Sequence, residues 1–223
     1  MFDRIAPRYD LLNHLLSAGI DRRWRRAAVD FLELTGPLRV LDLCAGTADL
    51  LIEALGRDAR HRGVGLDLSL EMLRRAAPKL ERRRLSARAS LAAADAERVP
   101  VAAGAFDAAL VAFGIRNVSE PAAALRELRR VLRPGGRLVV LEFGHPAGLA
   151  GALYRLYFHH LLPRIGRAVS GDGAAYTYLP ESVARFARPE SFCALMEAAG
   201  FAGVRARRLT LGVAWLFRGE TPA

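Results

Sequence analysis

The stretch Arg39-Val-Leu-Asp-Leu-Cys-Ala-Gly-Thr-Ala-Asp49 constrains the fold more than any other part of this chain. An apolar run of strand length ends beside an acidic residue, Asp42. A turn of small residues then opens a helix-forming segment. A near-continuous apolar run is what a strand of a parallel sheet shows when both its faces are covered. Residues 63–67 repeat the pattern and end on Gly65-Leu-Asp67. Glycine in a strand-to-helix turn lets a ligand approach the backbone. In open α/β sheets such ligands sit outside the carboxyl ends of the strands.

The alternation continues. Strands are expected at Arg39–Leu43, 63–67, Ala89–Ala93, 106–113 and 137–143, with helices at 47–55, 69–84 and 119–132. Ser69 and Ser119 occupy N-cap positions, Pro121 falls in a first turn, and Pro134-Gly135-Gly136 stops the last of these helices. Such alternation builds a mostly parallel sheet with helices on both faces. A helical arm is expected before it, at residues 4–34. After the fifth strand come a helical stretch at 149–166, with Tyr154, Tyr157 and Phe158, and a loop-rich segment at 170–181. A helix at 189–199, closed by Gly200, and strands at 203–209 and 213–218 complete the chain. A terminal hairpin on a parallel sheet is the arrangement of the Rossmann-like class I methyltransferase fold, an α/β fold with a seven-stranded sheet. One domain is expected, divided into an arm (1–36), a core (37–146), a substrate-covering insertion (147–188), and a C-terminal helix and hairpin (189–223).

Composition narrows the class. At 223 residues and 52% apolar, the chain can bury a full core. Cys44 and Cys193 have no metal spacing, the five histidines form no metal motif, and a reducing, cytoplasmic setting is expected. No run of eighteen apolar residues occurs, so no membrane span is expected. The net charge of +10 is almost wholly arginine, since Lys79 is the only lysine. A GC-rich genome also yields arginine and alanine, and no aromatic-rich basic motif of an RNA reader is present. Charge alone therefore does not choose a partner.

The turn chooses a ligand. The Gly-x-Gly-x-x-Gly spacing of a dinucleotide site is missing, because the turn reads Cys44-Ala45-Gly46-Thr47-Ala48, and no phosphate-loop motif occurs. A carboxylate at the tip of the second strand, Asp67, suits ribose hydroxyls. Asp42 before the turn would welcome a cationic amino-acid group and repel a pyrophosphate. Ala94-Asp95-Ala96 falls just past the third strand. There the Asp95 carboxylate can accept from an adenine amine, and the Ala96 amide can donate to a ring nitrogen. Asp42, Gly46, Asp67 and Asp95 together point to S-adenosylmethionine (SAM).

Four longer motifs go further. They are Met1-Phe-Asp-Arg-Ile-Ala-Pro-Arg-Tyr-Asp-Leu-Leu-Asn13; Phe113-Gly-Ile-Arg-Asn-Val118; Leu132-Arg-Pro-Gly-Gly-Arg-Leu-Val-Val-Leu-Glu-Phe143; and Leu162-Pro-Arg-Ile-Gly166 with Tyr176-Thr-Tyr-Leu-Pro-Glu-Ser182. With them the chain resembles, nearly end to end, the ubiquinone/menaquinone biosynthesis C-methyltransferase family, and within it the members that act on demethylmenaquinol. The Pro-Gly-Gly element is common among methyltransferases; the first two motifs are specific. The resemblance implies cofactor contacts from Thr47, Asp67, Asp95 and Ala96. It also marks departures. Positions 45 and 48, where glycine is usual (or cysteine at 45), are alanine, and an added methyl is expected to narrow the pocket. Ala112 stands where relatives often have serine, which removes a hydroxyl contact to the cofactor. Relatives commonly carry a short lead before the Met-Phe-Asp element, so a native start upstream of Met1 stays open.

The implied reaction is methylation of a quinol ring carbon, with the ubiquinone-pathway benzoquinol as the alternative ring. Ionising the neighbouring hydroxyl makes that carbon nucleophilic, so a group that stabilises developing oxyanion charge is needed. Arg116 and Asn117, at the end of the fourth strand, are expected to form this polar clamp, with Tyr9 closing over the ring. Pairing with a carboxylate is the structural alternative for Arg116, and core packing for Tyr9. The aromatic stretch at 149–166 is expected to receive a polyprenyl tail. Expected partners are thus a polyprenylated quinol, transient contact with an anionic membrane surface at its inner face, and a second copy as a homodimer, with no nucleic acid and no metal.

Overall fold

The computed structural model describes residues 19–146 and 182–223, together with Gly148 and Gly151. Its centre is β1 (Arg39–Leu43), buried along its whole length after Arg39. β1 pairs in parallel with β2 (Arg62–Asp67) on one side and β4 (Phe106–Ala112) on the other. β3 (Ala89–Ala93) continues the parallel sheet beyond β2, and β5 (Leu132–Phe143) continues it beyond β4. β7 (Ala214–Glu220) inserts antiparallel between β5 and the edge strand β6 (Ala202–Leu209). The order β3-β2-β1-β4-β5-β7-β6 is the seven-stranded, mostly parallel class I methyltransferase sheet with its terminal hairpin. It reverses direction between β1 and β4, which opens a crevice at their carboxyl ends.

Strand alternation divides the core. Val40, Ala108, Leu110, Val139 and Leu141 face one cluster, shared with Trp24 and Ala28 of α1 (Ile20–Asp30) and Leu50 and Ala54 of α2 (Asp49–Leu55). Leu41, Leu43, Ala109, Val111, Leu138 and Val140 face the other, shared with Leu125 and Leu128 of α4 (Pro121–Val131) and Phe192 and Met196 of α5 (Pro189–Ala198). α3 (Leu70–Arg82) packs Ala76 and Leu80 against Leu51 and Leu55 of α2. Fully burying a valine or leucine contributes about 1.5–3 kcal/mol, so each row of alternate apolar residues ties the sheet firmly to one helical layer. The exposed edge strand β6 carries Arg205, Arg207 and Arg208, charges that discourage pairing with another sheet.

The elements differ from expectation where a local conformation intervenes. The second helix begins at Asp49 rather than residue 47, because Ala48 is left-handed at φ 63°. Ser69 caps α3 as expected, its Oγ accepting from the Met72 amide at 3.2 Å. The residue before α4 is Glu120, one past the expected Ser119 cap, and no side chain caps that end; Pro121 opens the helix. Pro134-Gly135-Gly136 is a bulge within a longer β5, where the pairing steps from Phe106↔Leu132 to Ala108↔Arg137. Thr221 stitches that bulge: its amide donates to Gly136 O at 2.9 Å, and its carbonyl accepts from the Gly135 amide at 3.0 Å. The expected arm is described only from residue 19, as α1. The stretches at 149–166 and 170–181 lie outside the described residues apart from Gly151. Among the described residues no helix is long and apolar enough to cross a membrane.

Candidate active site

The carboxyl ends of β1 to β4 frame a cleft of about 250 Å³. Its first wall is the turn after β1. Cys44, Gly46 and Ala48 are all left-handed, at φ 57°, 54° and 63°. The alternation turns successive amides in different directions. The Ala45 amide donates back to Leu66 O at 3.0 Å, and the Gly46 amide donates to Asp67 Oδ2 at 2.8 Å. Asp67 Oδ1 accepts from the Ser69 amide, also at 2.8 Å. Two main-chain donors from two loops thus orient a half-buried carboxylate on the cleft wall.

Asp95 and Ala96 line the cleft from beyond β3, and Ala112 lines it from the end of β4. Asp95 is exposed, and its Oδ1 accepts from the Glu97 amide at 2.9 Å, which holds the loop. Leu68 is 77% exposed on the cleft lip, with Met72 beside it. An apolar side chain so exposed beside two carboxylates gives a flat ring a surface to cover. Burial pushes the Cys44 thiol well above the ordinary cysteine range, and the charges of Asp67, Asp42, Glu142 and Asp95 push it further. Burial, the larger cause, opposes a charge of either sign; only the carboxylates on the cleft, Asp67 and Asp95, would favour a cation such as the sulfonium of SAM. The Asp67 and Asp95 carboxylates and the apolar lip fit that cofactor.

Three side chains stand elsewhere than the sequence suggested. Asp42 does not line the cleft; it is 1% exposed, and its Oδ2 accepts from the Leu51 amide at 2.9 Å. Strand alternation puts it on the Val40 face, beneath α2, where burial raises its carboxyl to about 8. Thr47 is buried and also leaves the cleft wall, its Oγ1 accepting from Lys79 Nζ at 3.0 Å. Lys79 is also paired with Asp49, so α3 braces the turn from behind. Ala48 is fully buried among Leu51, Leu55, Ala76 and Leu80; its methyl fills core and does not narrow the pocket.

Arg116 is the largest correction. It lies in a short helical turn, Ile115–Asn117, but its guanidinium is committed to protein partners and does not line the cleft. Arg116 Nη1 donates to Glu142 Oε1 at 2.8 Å and to Phe113 O, and Nε donates to Ser182 Oγ at 3.3 Å. Glu142 is wholly buried. Burial pushes its carboxyl above the usual range, against the charge of Arg116, which holds it down. Asn117 does line the cleft, and its Nδ2 donates to the same Phe113 carbonyl at 3.3 Å. Phe113 is left-handed at φ 56°, and its ring lies 4.5 Å from Phe143 and 6.2 Å from Trp24, centroid to centroid. At Gly114 an added Cβ would overlap the Cys44 side chain, so glycine lets the β4 turn close against the β1 turn. Tyr9 lies outside the described residues.

Glu142, Cys44 and Leu68 were not singled out from sequence. Glu142 had a signal: it is one acid inside the apolar run from Leu138 to Phe143, and a buried carboxylate requires a cation or a proton. Cys44 and Leu68 had none, since an apolar residue beside a turn is ordinary.

Comparison with known proteins agrees with this architecture. The model of the ubiE/COQ5 methyltransferase family matches residues 1–220. The ubiquinone/menaquinone biosynthesis C-methyltransferase UbiE of Syntrophotalea carbinolica is 53% identical over 220 residues, covering 98% of this chain and 92% of that protein. The demethylmenaquinone methyltransferase of Thermus thermophilus is 51% identical over 223 residues and covers 100% of both. That of Deinococcus radiodurans is 50% identical, covering 99% of this chain and 90% of the relative. Among solved structures, the cyclase SpnF superposes with a TM-score of 0.76 at 20% identity, covering 100% of this chain and 95% of that one. A SAM-dependent methyltransferase of Thermotoga maritima gives 0.68 at 20%, covering 98% and 97%. Those two show the fold alone, and one of them is a cyclase, so a shared sheet does not fix chemistry. With the sequence match over almost its whole length, this chain belongs to the ubiE/COQ5 methyltransferase family.

Proposed function

We propose that this chain transfers a methyl group from SAM to a ring carbon of a polyprenylated demethylmenaquinol, giving the menaquinol. The chain belongs to a methyltransferase family, and its Syntrophotalea relative is named a C-methyltransferase of ubiquinone/menaquinone biosynthesis. The observation that carries the reading is one cleft with Asp67 fixed by two backbone amides on one wall and Asn117 on the other. The naphthoquinol is favoured by the names of the Thermus and Deinococcus relatives. The benzoquinol of ubiquinone biosynthesis is the second reading, favoured by the two-ring name of the Syntrophotalea relative.

When bound, SAM supplies the methyl group together with its own leaving group. Asp67 would accept from the ribose hydroxyls, Asp95 from the adenine amine, and the Ala96 amide would donate to the ring. Leu68 and Met72 would cover the base and exclude water from it. Catalysis then rests on alignment and on oxyanion stabilisation. Asn117 would donate to the ring oxygen whose charge develops as its proton leaves. Arg116 acts through another residue: it grips the Phe113 carbonyl that Asn117 also uses, and so positions that amide. Tyr9 and the aromatic stretch at 149–166, outside the described residues, would close over the ring and the prenyl tail.

The test is methyl transfer from labelled SAM to demethylmenaquinol and to the benzoquinol, assayed side by side. Preferential labelling of the naphthoquinol is expected; labelling of the benzoquinol alone would overturn the choice of ring. Asn117→Ala should lower turnover by at least about tenfold with affinity for S-adenosylhomocysteine nearly intact. Loss of that affinity at an unchanged maximal rate would move Asn117 to the cofactor side.

A further inference from the structure

A second cleft, of about 760 Å³, opens between α1, α2 and α3 and shares no lining residue with the first. Each helix turns one stripe toward it. α1 presents Arg22, Arg25 and Arg26, with helical spacing that puts all three on one side. The last turn of α3 and its cap present Lys79 and Arg83, and Arg57 follows the end of α2. Six cationic side chains therefore meet two carboxylates, Asp49 and Glu53. Lys79 and Arg25 share Asp49, the latter at 3.9 Å. Arg57 and Arg26 share Glu53 at 3.1 and 3.9 Å, and Arg57 also meets Asp30 at 2.9 Å just outside the cleft. Arg25 is tied to Asp21 as well. Among the described residues Arg22 and Arg83 form no ion pair, and both are exposed.

Like charges gathered around one cleft repel unless an anion joins them. The cation excess is in a concave space large enough for more than one small group, and five of the six cations are arginines. A guanidinium offers a planar fork of donors that matches phosphate oxygens two at a time. We propose that this cleft is a binding site for a multiply charged, phosphate-bearing anion, gripped by Arg22, Arg26 and Arg83. The methyl-transfer chemistry does not use it. The phosphates could be those of a free small molecule or of clustered lipid headgroups, and the recognition chemistry is the same.

The experiment uses the full chain and two probes: inorganic diphosphate, followed by calorimetric titration at low salt, and vesicles of phosphatidylglycerol against vesicles of phosphatidylcholine, followed by sedimentation. The variant is Arg22→Gln with Arg83→Gln, two exposed positions outside the core. Binding of S-adenosylhomocysteine at parental affinity reports that the variant is folded. Arg26→Gln, whose side chain is 63% exposed, is a second and independent variant. The parent is expected to bind at least one phosphate probe, and the double variant to bind it at least about tenfold more weakly. A diphosphate response lost in the variant supports a soluble ligand. Phosphatidylglycerol binding that is lost in the variant, without a diphosphate response, supports headgroups. No binding of either probe by the parent, or equal binding by parent and both variants, overturns the site.

Discussion

The two walls of the active-site cleft hold their carboxylates in opposite ways. On the β1–β3 side, Asp67 is half-buried, oriented by the amides of Gly46 and Ser69, and turned to a space that a ligand can enter. On the β4–β5 side, Glu142 is sealed from solvent and bound to Arg116, which in turn holds the Phe113 carbonyl. Backbone amides stabilise a carboxylate without adding a side chain to the site, and this one lies on the cleft wall. A buried ion pair consumes both its members. The first wall therefore keeps its carboxylate on the cleft, and the second holds a left-handed turn in place. Substitutions should separate the two.

The largest effect is expected at the sealed pair. Glu142→Ala leaves the Arg116 guanidinium buried without its charge partner, a loss of about 3–5 kcal/mol. Urea unfolding measures it, and a variant as stable as the parent would show that the pair does not brace the turn. Asp67→Ala sharpens the contrast from the other wall. It should weaken binding of S-adenosylhomocysteine by about 1.5–3 kcal/mol in calorimetric titration. Its cost in stability should be smaller than that of Glu142→Ala, since water can reach the two amides it abandons. A reversed ranking in stability would break the comparison.

Asp42 tests burial without a cation in contact. Its folded carboxyl titrates near 8, above the unfolded value of 3.8. Between those values the folded chain holds a proton that the unfolded chain has lost. The stabilisation is thus fully present below the unfolded value and is lost as pH rises through about 8, at no more than about 1.4 kcal/mol per pH unit. Asp42→Asn keeps an acceptor for the Leu51 amide and removes the titration. Unfolding midpoints at several values between pH 6 and 9 should fall more steeply in the parent than in the variant; parallel curves would refute the assignment. The smallest effect is expected at Ala48→Gly. Relief of a left-handed alanine, roughly 1–2 kcal/mol, is offset by a lost core methyl and a more flexible unfolded chain. A net change under about 1 kcal/mol is expected, and a loss well beyond that would mean the methyl matters more than the strain.

The placement of the β1–β3 wall was legible because its geometry is local. Gly46 lies in the turn after β1, Asp67 ends β2, Ser69 caps the next helix, and period-two and period-3.6 patterning places them at one end of the sheet. Its errors are ones of direction. Asp42 and Thr47 are next to the right turn in sequence, but the pleat of β1 carries the first beneath α2, and the second meets Lys79, thirty-two residues away. The second wall was half legible. Arg116 and Asn117 stood out as a motif, but only the pairing of β4 with β5 brings Glu142, twenty-six residues on, against the guanidinium. That contact turns Arg116 from a substrate clamp into a brace and leaves Asn117 on the cleft.

By itself, then, the sequence determined the class of sheet, the end of it at which the cleft opens, and the family, because apolar periodicity and short motifs depend on neighbours along the chain. The tertiary structure alone decided which polar side chains reach the cleft and which are spent inside it. It also alone gathered Arg22, Arg57 and Arg83 from three separate segments around one space. Burial and charge pairing depend on distance through the fold, and for a side chain whose partner is tens of residues away no local pattern encodes that distance.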